Sequence, residues 1–392
     1  MVQPRPAPAG AAPPTVLHVL PSLDGDERAT ATVGLCRALR GEGWRVVVAS
    51  AGGRLEVRLR AGAVEHRRLP LDSANPLTVA GNVRRLAALA ADCAARLVHV
   101  HAGPSAWSAV AAARKAGLPV LATCHDLPAS ARGPLGRAWA QAPLRADRLI
   151  AVSADLAERL GQVHAVPAAR LRTVHPGVDL AEFDPAAIRG NRIGRLAESW
   201  RLAPDRPVVL LPGPVHPDRG HALLLQAAAT LERRDFAIVF AGPTSGDAAA
   251  DRTLEAAVRQ SGLAERVRFV GACPDMPAAY MLADVVALPA VRPPGFALAA
   301  IEAQAMGRPV VVTAAGGLPE AVQPASTGWL VRPDDPAELA WALDRALALE
   351  PDVRERLADR CRGFVASELG VQQAARRTAA VYAELVPSPQ PA

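Results

Sequence analysis

The chain has 392 residues, half of them hydrophobic and 4% aromatic, and its formal charge of +6 rests almost wholly on arginine, because Lys115 is the sole lysine. That length exceeds one ordinary core and suits two domains. Dispersed cations with few rings argue against a nucleic-acid platform, and Cys36, Cys93, Cys124, Cys273 and Cys361, odd in number and without CxxC spacing, argue against a disulfide framework or a zinc site and for a reducing compartment.

Residues 1–14 are rich in proline and alanine and lack a continuous apolar stretch, so they read as a disordered leader and not as a secretory signal. From residue 15, short β-branched runs alternate with Ala/Leu/Arg segments of helical period, the pattern of βαβ units on a parallel sheet. Strands are expected at "TVLHVLPS", "WRVVVAS", "EHRRLPL", "RLVHVHA", "PVLATCH" and "RLIAVS". They make a six-stranded, doubly wound sheet over a domain spanning 15–185. A Pro/Asp/Gly-rich connection, "VHPGVDLAEFDPAAI", closes it. The alternation restarts after Pro207 with "PVVLLPG", "FAIVFAG", "VRFVG", "DVVALPA", "RPVVVTA" and "GWLV". Helices are expected at 219–233, 247–262, 296–306 and 335–349, in a second domain over 186–370. Residues 351–386 read as helical, the part from 371 packing back on the first domain, and 387–392 as a tail. No apolar run approaches the roughly 20 residues that span a membrane. The fold class is therefore α/β with two Rossmann-like sheets, and such sheets bind ligands at the carboxyl ends of their strands.

The segment 293–322 carries the most chemistry. Gly295, Phe296, Ala297 and Leu298 lie where a strand hands over to a helix, and the amides of such a helix start, with its positive dipole end, suit a diphosphate. Glu302, further along that helix, has a carboxylate able to accept from both hydroxyls of a ribose. Gly307 ends the helix, and Gly316 and Gly317 form a turn that either shapes the backbone or meets phosphate. Phe296 and Trp329 read as core side chains. His18, His66, His99, His101, His164, His175, His216 and His221 show no metal-ligand spacing on one helix face, so no metal is expected; His101, at a strand end, is the one of these that could face a ligand.

The run "GFALAAIEAQAMGRPVVVTAAGGLPEAV", with "TGWLVRPDDPAELAWAL" after it, resembles the C-terminal half of the retaining glycosyltransferases of family 4, which have the GT-B fold of two Rossmann-like domains facing across a cleft. "VLHVLPSLDG" and "DERATATVGLCRALRGEGWRVVVASAGG" are similar to the N-terminal half. The resemblance implies a nucleoside diphosphate sugar bound mainly by the second domain, an acceptor bound mainly by the first, and transfer with retention and no obligatory metal or other cofactor. It places Glu302 on the ribose and His125, in "TCHDLPAS", against the donor sugar. Family members carry a second glutamate beside the sugar, and here that position is Pro294. Of the family's two diphosphate cations, one falls on Pro214 and the other on Arg219, which keeps the charge with a forked geometry. The glycine-rich loop after the first strand is shorter here and keeps one glycine, Gly25.

The resemblance implies a hexosyltransferase with His125 and Arg219 as its catalytic candidates. It would act in cell-envelope glycan or polysaccharide assembly on a glycan or lipid-linked acceptor, in the cytoplasm or peripherally at the inner membrane face, where a mildly basic surface could meet anionic lipid. Pro214, Pro294 and the shortened loop motivate a second reading, a catalytically degenerate protein that binds nucleotide sugars as a regulatory subunit. A GT-B epimerase is weakened by the missing first glutamate. A dinucleotide-dependent oxidoreductase is disfavoured, because no GxGxxG follows a strand.

Overall fold

The computed structural model describes residues 13–24, 27–101, 103–128, 133–244 and 246–386. The chain divides into two units, one made of residues 1–177 and 371–392, the other of Val178–Gly370.

Among the described residues the first unit is built on seven parallel strands: β1 (Thr15–Val19), β2 (Arg45–Ser50), β3 (Glu65–Arg68), β4 (Ala95–Val100), β5 (Val120–Cys124), β6 (Arg148–Ala151) and β7 (Leu171–Thr173). Their spatial order is β3-β2-β1-β4-β5-β6-β7, so the direction of winding reverses between β1 and β4. Alternation along each strand sends side chains to opposite faces. Leu17, Val19, Val98, Val100, Val120 and Ala122 share one core. Val16, Val46, Leu97, Leu121 and Ile150 share the other, with Cys36 of helix Glu27–Leu39 and Tyr382 of helix Val371–Leu385. Because both faces are covered, the central strands read as nearly unbroken apolar runs. β7 is the exception and escapes a sequence reading: its three residues, Leu-Arg-Thr, carry no apolar run, and only pairing with β6, Leu149 against Leu171, defines it.

The second unit holds β8 (Val208–Pro212), β9 (Ala237–Ala241), β10 (Val267–Phe269), β11 (Val285–Leu288), β12 (Val310–Thr313) and β13 (Gly328–Val331), all parallel, in the order β10-β9-β8-β11-β12-β13. These are the six strands the apolar runs mark. The helices Ala248–Gln260 and Pro336–Leu347 begin on Asp247 and Asp335, whose carboxylates accept from amides of the first turn and so satisfy donors a helix start leaves open.

Residues 351–386 are helical, as their sequence reads, in two helices, Pro351–Glu368 and Val371–Leu385, the second starting where it is expected. Leu369 leaves the helical path, its carbonyl accepts from Val178 N at 2.9 Å, and Gly370 pairs with Val178 as a β-bridge. The division after Gly177 precedes the expected one at 185, because Phe183 is buried in the second unit, its ring 6.1 Å from that of Tyr280. Among the described residues no helix is long and apolar enough to cross a membrane.

Candidate donor and histidine sites

In the second unit β8 and β11 are neighbours, with Val209 opposite Val285 and Leu210 opposite Val286. They flank the point where winding reverses, so the loops after them diverge and leave room at the strand ends. After β8 comes Gly213, then an exposed Pro214 and a one-turn helix, Pro217–Arg219, capped by the His216 ring, which accepts from Asp218 N at 3.2 Å. Gly220 follows with φ of +77°, and a β-carbon there would stand 1.8 Å from the Pro289 carbonyl oxygen. Only glycine permits that approach. Asp218 O accepts from Val291 N at 2.9 Å, and the Asp218 carboxylate lies 3.3 Å from Arg292 Nε. The loop that carries the half-buried Arg219 is thus stitched to the loop that follows β11.

That second loop leads through Gly295, Phe296 and Ala297, all buried, to the helix Leu298–Ala305, whose start on Ala297 has no side-chain cap. The helix begins at Leu298 and not at 296, so Glu302 lies about one turn inside it. Glu302 is half-buried, and its Oε2 accepts from the hydroxyl of Tyr280 at 2.8 Å; the tyrosine ring is fully buried. Gln304 anchors the same helix by donating to the carbonyls of Ala300 and Ala321 at 2.9 and 2.7 Å. Gly316 and Gly317 pack under the loop. A β-carbon on Gly316 would be 2.2 Å from Pro294 O, and Gly317 N donates to that same oxygen at 3.0 Å. The Gly317 amide is therefore committed within the protein. Tyr280 is the partner that sequence reasoning missed, because it lies 22 positions from Glu302 and reaches it only through the fold.

In the first unit His125 follows β5, and it is not alone. His18 on β1 sits opposite His99 on β4, and His101 lies just beyond β4 on the same face as His99. Tyr382 and Thr32 cover this face from the helices Val371–Leu385 and Glu27–Leu39. The polar atoms form one chain of contacts. Thr123 Oγ1 is 2.8 Å from His99 Nε2, and His99 Nδ1 is 2.7 Å from Tyr382 Oη. Tyr382 Oη is 3.0 Å from His18 Nε2, and His18 Nδ1 is 3.1 Å from His101 Nε2. His101 Nδ1 stands 3.4 Å from His125 Nε2 and 3.3 Å from Thr32 Oγ1.

Burial sets the protonation of this chain, since a low-dielectric interior disfavours the charged imidazole. It pushes His18 down to about 3. Burial and then the Arg28 charge take His125 down to about 3, and His99 and His101 are held well below the ordinary value by burial and their neighbouring rings. Burial raises the Tyr382 phenol. All five groups are neutral at pH 7. His18, His99 and His101 also bring ligand atoms within 4.8 Å of one another, a proximity that spacing along the sequence does not reveal. The alternation "VHVHA", with its histidines two apart on a strand, was the available signal. Gly25 lies outside the described residues.

Residues 29–182 match the family described as Glycosyltransferase Family 4, and residues 206–348 match the one described as Glycosyl transferases group 1. The chain belongs to the group 1, family 4 glycosyltransferases. The chain is 36% identical over 276 residues to a D-inositol 3-phosphate glycosyltransferase of a Mycobacterium strain, a match that covers 67% of the chain and 61% of that relative's length. In fold it resembles a glycosyltransferase from Rickettsia africae (TM-score 0.83, 22% identity, 96% of this chain and 100% of that one). It also resembles Anabaena HepE solved with UDP and glucose (TM-score 0.79, 20% identity, 94% and 99%). At such identities these two likenesses establish the architecture, two parallel-sheet α/β domains of the GT-B kind.

Proposed function

We propose that the chain transfers a sugar from a nucleoside diphosphate donor to an acceptor hydroxyl with retention at the anomeric carbon. The observation that supports this best is the stitching of two loops at the β8/β11 reversal: Arg219 stands on one, and the other opens the helix that carries Glu302. In this reading Glu302, held by Tyr280, accepts from the ribose hydroxyls, and the backbone of Gly295, Phe296, Ala297 and Leu298 lies along the diphosphate. His125 serves a hydroxyl of the transferred sugar. Gly316 lets backbone come close to the donor, while Gly317 acts by shaping the turn.

The bond between the anomeric carbon and the diphosphate oxygen breaks as the bond to the acceptor oxygen forms, and the acceptor's proton passes to the departing diphosphate. Negative charge therefore grows on the leaving group, where one well-placed donor lowers the barrier by about 3 kcal/mol. Arg219 supplies that charge, and no metal or cofactor is required in the scheme.

The named relatives make a phosphorylated inositol the first acceptor to try, and the HepE complexes make uridine diphosphate and its glucose ester the first donor species. Glycan and lipid-linked acceptors follow, in keeping with a role in envelope or polysaccharide assembly at the cytoplasmic membrane face. Pro214 and Pro294, which put no charge at two positions where the family carries it, support the alternative of a nucleotide-sugar-binding subunit without turnover. Thermal-shift screening against nucleoside diphosphates and their sugars, followed by a transfer assay with the stabilising donor, separates the readings. Stabilisation with transfer or slow donor hydrolysis supports the enzyme, stabilisation without either supports the subunit, and no stabilisation by any nucleotide sinks both.

A further inference from the structure

A run of three buried imidazoles, the half-buried His125, a phenol and two hydroxyls is costly unless every interior polar atom finds its partner, so the placement of each hydrogen is open to bookkeeping. A neutral imidazole has one N–H and one acceptor nitrogen. Along the line Thr123, His99, Tyr382, His18, His101, His125, each contact needs one hydrogen, and fixing one contact fixes all the others. Two patterns satisfy the line, with the hydrogens running toward His125 or away from it.

Thr32 decides between them. Its hydroxyl donates to the carbonyl of Arg28 at 2.8 Å, one turn back on its own helix. With that hydrogen spent, Thr32 Oγ1 meets His101 Nδ1, 3.3 Å away, as an acceptor. His101 must then carry its hydrogen on Nδ1, shared between Thr32 and His125 Nε2. In turn His101 Nε2 accepts from His18 Nδ1, His18 Nε2 accepts from the Tyr382 hydroxyl, the Tyr382 oxygen accepts from His99 Nδ1, and His99 Nε2 accepts from Thr123. The reverse pattern would set a lone pair on His101 Nδ1 against one on Thr32 Oγ1 in the protein interior.

We infer that Thr32, His101, His18 and Tyr382 form a hydrogen-bonded positioning relay that holds His125 as its Nδ1–H tautomer, so that His125 presents a hydrogen-bond donor, and not a proton acceptor, to a ligand oxygen. The consequence for a ligand rests on the reading of His125 as a sugar contact; the relay does not. A metal held by His18, His99 and His101 is the competing use of the same atoms. The geometry disfavours it, because the His99 and His101 rings stack with centroids 4.5 Å apart and 25° between their planes, which sets their lone pairs side by side and not at one point.

The test is long-range proton–nitrogen correlation spectroscopy of the full chain labelled with 15N-histidine, with His125 assigned through His125→Asn. The native protein is expected to show His125 as Nδ1–H in about tenfold excess or more, the margin an unmatched buried pair imposes. Thr32→Val removes the hydroxyl that selects the pattern, and the His125 signals should then report both tautomers; Thr32→Ser should restore the single form. His125 as Nε2–H in the native chain overturns the inference, as does a tautomer unchanged in Thr32→Val. Displacement of the His18, His99 and His101 ring-nitrogen signals by one equivalent of Zn2+ overturns it in favour of a metal site. If Thr32→Val does not fold, the native and Thr32→Ser spectra still decide. UDP binding measured by calorimetry on the same samples reports the donor site separately, so a preserved tautomer without binding keeps the relay and removes the proposed function.

Discussion

The hydroxyl of Tyr280 stands 2.8 Å from Glu302 Oε2, joining a fully buried ring to a half-exposed carboxylate. The pair makes the rotamer of Glu302 a property of the core, and a preset acceptor costs a ligand less ordering than a mobile one. Tyr280→Phe keeps the packing and deletes this bond. It should lower stability by about 1 kcal/mol and weaken nucleoside diphosphate binding by roughly three- to tenfold, with Glu302→Ala losing more. Calorimetric titration of both variants checks this, and unchanged affinity in Glu302→Ala would remove the ribose assignment.

Arg219 is expected to act late, on the charge of the leaving group. Arg219→Ala should therefore reduce kcat by about a hundredfold, equivalent to about 3 kcal/mol of barrier, with a smaller change in KM. Arg219→Lys should recover part of the loss, since the charge returns without the fork. Steady-state kinetics with the donor found by screening decide it; equal rates for the alanine variant and the native chain would exclude a role for the guanidinium.

Gly220 joins a left-handed φ of +77° to a contact that leaves no room for a side chain. Gly220→Ala must displace the Pro289 carbonyl or move the turn, so it should cost at least about 2 kcal/mol and loosen the attachment between the two loops. Gly246, also at positive φ but with nothing within 4 Å of a β-carbon, is the control, and its alanine variant should cost about 1 kcal/mol. Chemical denaturation measures the two, and equal losses would show that the approach to Pro289 does not matter.

The histidine chain predicts an acid limit to stability. Unfolded imidazoles titrate near 6.5, whereas His18 and His125 in the fold are held down to about 3. Above about 6.5 both states are neutral and stability is flat. Below it the unfolded chain takes up protons that the fold refuses, so stability falls toward about pH 3 by about 1.4 kcal/mol per pH unit for each such ring. Thermal melts between about pH 7.5 and 4.5 should show a plateau and then a steep decline, shallower in His18→Asn. A midpoint constant down to pH 5 would contradict the burial of neutral rings.

How much of this was legible in the residues varies with the reach of the interactions involved. The strands β8 to β13 were readable because a parallel sheet covered on both faces demands apolar β-branched runs, and "PVVLLPG" or "RPVVVTA" serves no other purpose well. β7 was not readable, since its only qualification is its neighbour. The pairing of Val178 with Leu369 and Gly370 was hidden likewise, because it joins positions far apart in the chain.

By itself the sequence determined the α/β class, the two-sheet organisation and the positions of Glu302, Arg219 and His125 beside strand ends, all of which follow from local periodicity and short motifs. Only the tertiary structure decided which groups these residues meet. Tyr280 under Glu302, Asp218 bound to Val291, and the line from Thr123 to His125 join positions 22 to 364 residues apart. The physical reason is that a side chain's tautomer, rotamer and charge answer to the atoms packed against it, and packing is set by the whole fold, whereas the backbone's choice of strand or helix is largely made by its nearest neighbours in sequence.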